Sequence, residues 1–140
     1  IKENNIANQI AINLSSRTVK SSGFRGWLTV LLNQNQAVAG QLVFSLSAYA
    51  VNKEIGVYKE FIHFIRKHNA KVLIKRFETQ SMLPQAVKEL KPDYIRLARD
   101  LGNGIAQDVE KREFVKTMLE IGELLDIFLF IGSASAEPTI

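Results

Sequence analysis

Residues 41–74 read QLVFSLSAYAVNKEIGVYKEFIHFIRKHNAKVLI. Gln41 to Leu46 (QLVFSL) is a short run whose apolar residues suit burial on both faces, as in a strand of a parallel sheet. A long helix is predicted near residues 53–68, because Ile55, Tyr58, Phe61, Ile62 and Ile65 recur along one face and Lys67, His68 and Asn69 close it. Lys71 to Ile74 (KVLI), near residues 71–76, then reads as the next strand. A strand, a crossover helix and a second strand joined by short connections form the unit from which parallel sheets are built.

The same alternation extends outward in both directions. Upstream, Gln9 to Leu14 (QIAINL) is an isoleucine-rich strand closed by Ser15 and Ser16. A helix near 24–34 carries Phe24, Trp27, Leu28, Leu31 and Leu32 at helical spacing, and this stripe is expected to pack on the sheet. Downstream, Leu83 to Leu90 reads as a short helix with Pro84 in its first turn. Tyr94 to Leu97 (YIRL) is the fourth strand, and Ile127 to Ile131 (IFLFI) the fifth. Between them a helix near 107–125 places Val109, Phe114, Val115, Met118, Leu119, Ile121 and Leu125 on one side, entered from Gly102-Asn103-Gly104. The expectation is an α/β chain of about five parallel βα units, read as one unit over residues 1–140. An open doubly wound sheet and a segment of a (β/α)8 TIM-type barrel both fit this order. No GxGxxG turn or Walker sequence favours a nucleotide-binding open sheet.

Composition excludes more than it assigns. The 140 residues are 46% hydrophobic and 23% charged, ordinary for a globular domain. Eighteen Lys and Arg against 14 Asp and Glu give a net charge of +4, scattered along the chain, which gives little preference for nucleic acid. No cysteine is present, so thiolate metal sites, disulfides and cysteine nucleophiles are ruled out, and a reducing cytoplasm is the compartment expected. His63 and His68 stand five apart, whereas a metal pair on a helix needs three or four. The apolar run at Ile127 to Ile131 falls far short of the roughly 20 residues that cross a bilayer. The chain opens on Ile1 with no signal pattern, and it reads as a piece of a longer protein.

Five strand ends, in order, resemble the EAL phosphodiesterase family, from Ile10 to about Ser135. Ile12-Asn13-Leu14-Ser15 is similar to that family's INLS strand, and Val43 to Ala48 (VFSLSA) to its F-E-[IL]-[ST]-E strand. Ile74 to Gln80 (IKRFETQ) stands where the family has I-D-D-F-G-T-G. Lys91 to Ala98 (KPDYIRLA) matches the segment ending in Y-I-K-I-D, and Leu129 to Ser135 (LFIGSAS) matches V-I-A-E-G-V-E. The resemblance implies a (β/α)8 barrel of roughly 250 residues with its active site at the carboxyl ends of the strands. It also implies acidic side chains and one asparagine holding divalent ions that activate water against a phosphodiester.

Carried over residue by residue, that ligand set is lost except for Asn13. The metal-ligand positions are Ser45, Ala48, Ala98, Gly132 and Ser135; the paired aspartates are Lys75 and Arg76, and the strand-four lysine is Arg96. A cation beside a dication is repelled by about 1 to 4 kcal/mol per close pair. The resemblance thus implies a degenerate, inactive domain with no metal and no cofactor. So complete a loss resembles the CsrD/MshH group, in which a degenerate GGDEF-like domain precedes a degenerate EAL-like one, and this resemblance implies a membrane-anchored parent.

What remains divides into two functional readings. The first is a regulatory module that docks a protein partner in cyclic-di-GMP-type signalling or RNA-turnover regulation. The alternative is a metal-free receptor in which Asn13, Lys75, Arg76 and Arg96 bind cyclic-di-GMP or another phosphate-bearing ligand at the barrel mouth. Against an anion site stands internal pairing of these cations with Glu78, Asp93, Asp100 or Glu137. Adjacent strand residues also point oppositely, so Lys75 and Arg76 share the mouth only if the strand has ended there. Trp27, Phe61, Phe64 and Phe114 are expected in the core, and five of eight strands leave open sheet edges that invite a homodimer.

Overall fold

The computed structural model describes residues 9–77, 84–98 and 108–130. Strands β1 (Ile10–Asn13), β2 (Leu42–Ser47), β3 (Lys71–Phe77), β4 (Tyr94–Leu97) and β5 (Phe128–Phe130) form one sheet in chain order. Every neighbouring pair is parallel. Sequential parallel neighbours with helical crossovers are the arrangement of a βα-barrel segment. Among the described residues the sheet is not closed, and β1 and β5 are its outermost strands.

Side-chain alternation divides the sheet. Leu42, Phe44 and Leu46 of β2, Val72 and Ile74 of β3, and Ile95 and Leu97 of β4 enter one large buried cluster with the helices. Val43, Leu73 and Tyr94 form a second, smaller cluster against Phe130 on the opposite face, which corresponds to the lumen of a barrel. β2 is therefore buried on both sides up to Leu46, and only its two serines, Ser45 and Ser47, are polar, both on the lumen face.

Helices α1 (Ser16–Lys20), α2 (Ser22–Gln34) and α3 (Gln36–Ala39) join β1 to β2. Serines start the first two: Ser15 Oγ accepts from the Thr18 N–H at 3.3 Å and Ser21 Oγ from the Phe24 N–H at 3.1 Å. The helix expected near 53–68 is α5 (Ile55–Arg66), and an unanticipated short helix, α4 (Ala48–Lys53), precedes it; Glu54, whose φ and ψ of −138° and 59° are not helical, separates the two. Beside Glu54's non-helical backbone, Lys20 Nζ donates to its carboxylate at 2.9 Å. Asn69 then turns the chain into β3 with φ 68°, a left-handed conformation asparagine tolerates. Helices α6 (Pro84–Leu90) and α7 (Val109–Leu125) complete the order, with the Asp108 carboxylate accepting from the Lys111 N–H at 3.1 Å.

Phe61 is buried, with its ring edge-on to Phe44 at 6.0 Å, and Phe114 stacks on Phe77 at 5.8 Å. Trp27 departs from expectation: it is 59% exposed. Leu28 and Leu32 occupy the line of α2 that meets the core, and the apolar arc of this helix is wider than the surface covering it. Val109 and Leu119 of α7 lie outside the core for the same reason, while Met118 and Ile121 are buried.

Gly122 lets α7 pack closely on the chain entering β5. A Cβ there would lie 2.9 Å from the Ile127 carbonyl oxygen and 3.3 Å from the Leu129 side chain. Gly26 of α2 faces open space. Gly122→Ala is expected to lower urea-unfolding stability by about 1 to 3 kcal/mol through overpacking. Gly26→Ala should raise it by about 0.5 to 1 kcal/mol through helix propensity. Equal signs for the two substitutions would contradict this packing.

Candidate functional site

Alternation brings the carboxyl-end residues of β1 to β4 onto the lumen face. Asn13 pairs in register with Ser45, and Ser47 with Lys75, while Arg96 stands beside Phe130 of β5. Lys75 Nζ donates to Asn13 Oδ1 at 2.9 Å, reaching from β3 to β1. Ser45, between those two strands, is the buried polar residue of the described core. Arg96 lies over the Phe130 ring, with its guanidinium carbon 5.1 Å from the centroid.

β3 is irregular where this cluster forms. Ile74 and Phe77 both enter the helix-side core, so two residues, Lys75 and Arg76, separate side chains that share a face. A regular strand would place one residue there. The ladder with β4 shifts register between Ile74 and Phe77, and Arg76 takes φ 59°. The bulge removes the obstacle that strict alternation raised, because it holds Lys75 and the exposed Arg76 in succession at the strand end. A left-handed non-glycine residue costs on the order of 1 to 2 kcal/mol, and such strain concentrates at functional positions.

Electrostatics reflect this crowding. Burial, then the charges of Arg76 and Arg96, pushes the Lys75 ammonium below its usual range. Burial also lowers Arg96. Of the acids expected to neutralise these cations, Asp93 is committed elsewhere: it accepts from the Val72 N–H at 2.9 Å and lies 3.7 Å from Arg66. Glu78, Asp100 and Glu137 lie outside the described residues, as do Gly132 and Ser135. Among the described residues no carboxylate lies within 4.0 Å of Lys75 or Arg76.

Two of the expected positions are not part of the cluster. Ala48 is the first residue of α4 and Ala98 follows β4, and both are buried in the helix-side core. The site therefore gathers Asn13, Ser45, Lys75, Arg76 and Arg96, with Ser47 added by the ladder. Ammonium and guanidinium groups cannot ligate a divalent ion, and one amide oxygen with two hydroxyls does not offset its charge. The described residues do not fit a hard dication. Sequence reasoning also missed the Tyr94 hydroxyl donating to Gln9 Oε1 at 3.0 Å, a contact 85 residues apart with no local signal. Burial raises the Tyr94 phenol, the Gln9 bond opposes that, and Asp93 adds to it.

A direct check is the titration of Lys75 followed by its side-chain NMR signals. The ammonium should lose its proton below the ordinary lysine value, and Arg76→Gly should move that midpoint upward by removing a neighbouring charge. Because the folded value is depressed, stability gains as pH rises through it toward the unfolded value. An unshifted Lys75 would contradict the clustered geometry.

Comparison with known proteins agrees with this architecture. The EAL domain family matches residues 1–131. No curated protein sequence matches the chain significantly. Among solved structures, Vibrio cholerae LapD (S helix-GGDEF-EAL, bound to c-di-GMP) superposes with a TM-score of 0.79 at 17% identity, over 89% of this chain and 30% of that one. The MucR phosphodiesterase in complex with c-di-GMP gives 0.75 at 16% identity, over 88% and 55%. The FimX EAL domain gives 0.74 at 20% identity, over 91% and 52%. This chain thus spans between about a third and about half of the length of these structures. Five parallel strands with their helical crossovers and a family match over nearly the whole sequence lead to one assignment: the chain belongs to the EAL domain family.

Proposed function

We propose that this EAL domain is catalytically silent and serves as a regulatory, protein-docking module in cyclic-di-GMP-type signalling. The observation that carries the reading is the 2.9 Å bond from Lys75 Nζ to Asn13 Oδ1. Resemblance to the family makes that oxygen a metal ligand and the Lys75 position an aspartate. Here a fixed monovalent cation sits on the oxygen instead, with Arg76 and Arg96 adding positive charge around it. A divalent ion would have to displace the ammonium and endure two further cations that repel it. With no carboxylate at these positions, water activation and a general base are lost together.

The docking part of the reading rests on the outer surface. Trp27 and Val30 stand one turn apart on α2, 59% and 54% exposed, with the Phe24 ring 5.9 Å from the indole. Exposed tryptophan beside aliphatic surface is the composition of interface hot spots. The narrower grouping with CsrD/MshH-type regulators rests on the same missing acids.

The test is hydrolysis. The polypeptide that carries this chain, incubated with cyclic-di-GMP and saturating Mg²⁺ or Mn²⁺, should form no linear dinucleotide above the buffer control. Metal-dependent turnover would overturn the proposal.

A further inference from the structure

The strand-end cluster holds more positive charge than the loss of carboxylates alone requires. Replacing an acid by serine or alanine, as at Ser45 and Ala98, silences a metal site without adding cations. At β3 the chain instead carries consecutive Lys75 and Arg76, kept together by a bulge with Arg76 at φ 59°. The arrangement is unfavourable by itself: the backbone is strained and the two cations repel. An anion between them would turn that repulsion into attraction.

We infer that Lys75 and Arg76, flanked by Arg96 and Ser47, form a metal-independent site for a phosphate dianion, either free or as a monoester. The metal independence rests on the catalytically silent reading above. Lys75 uses one of its three N–H donors on Asn13, which leaves two for a ligand. Arg76 is exposed and presents a planar fork that matches two phosphate oxygens. Ser47 is paired in register with Lys75 on the same face and is half-buried. A phosphate monoester carries about −1.5 to −2 charges near neutral pH, which matches two adjacent cations. A phosphodiester carries only one negative charge, so the pair should discriminate against it.

Calorimetric titration of the chain in EDTA provides the test, with inorganic phosphate and phenyl phosphate as dianions and diphenyl phosphate as the monoanionic diester. Both dianions should bind without metal, at least about tenfold more tightly than the diester, as expected for one added charge-assisted bond. Stronger binding of phenyl phosphate than of inorganic phosphate identifies the ester as the source, and equal binding identifies the free ion. Arg76→Gly suits the left-handed position and preserves the bulge, and it should weaken dianion binding about tenfold while leaving the thermal midpoint unchanged or raised. Lys75→Met should weaken it similarly. Absent binding, equal affinity for the diester, or undiminished binding by folded Arg76→Gly would overturn the inference. None of these outcomes requires hydrolysis, so the inference fails separately from catalytic silence.

Discussion

Two-residue alternation along five parallel strands determines which side chains meet the helices and which line the open face. Phe44, Leu46, Val72, Ile74, Ile95 and Leu97 fall on the helix side and make the core continuous. Asn13, Ser45, Ser47, Lys75 and Arg96 fall on the other side and meet because their strands are in register. Core and site are thus two faces of one constraint, and a one-residue slip of β3 would exchange Ile74 for Lys75 at the helix interface. The single interruption, at Arg76, leaves the core intact because Phe77 returns to it.

Within that frame the chemistry is set by which charges occupy the strand ends. Lys75 on Asn13 supplies internally a positive charge that the family resemblance assigns to a bound metal. An ammonium satisfies the amide oxygen and holds β1 and β3 together, yet it neither polarises a phosphate as a dication does nor lowers the pKa of water. On the proposed reading, the geometry persists without the hydrolytic chemistry, because scaffold and metal chemistry depend on different atoms.

Much of the fold was legible in sequence because its signals are local. The isoleucine-rich run at Gln9 to Leu14, the largely apolar QLVFSL and the spaced apolar face of α5 each report a neighbouring surface through local pattern. β4 lies at residues 94–97 as read, whereas β5 occupies Phe128–Phe130 within the longer apolar run. Two features were hidden for physical reasons. The exposure of Trp27 depends on how much of α2 other elements cover, which helical periodicity does not encode. At the site, the cations were visible as residues, but the bulge that gathers Lys75 and Arg76, and the engagement of Asp93 by Arg66 and Val72, follow from tertiary packing.

The central claim is that the Lys75 ammonium occupies the Asn13 oxygen and leaves no place for a dication. Titrating the chain with Mn²⁺ while recording the side-chain amide signals of Asn13 tests it most directly, since a bound paramagnetic ion broadens protons close to it. The account predicts that the Asn13 signals remain sharp at Mn²⁺ concentrations that broaden only exposed surface carboxylates. Selective early loss of the Asn13 signals would show that a divalent ion reaches this oxygen and would contradict the account.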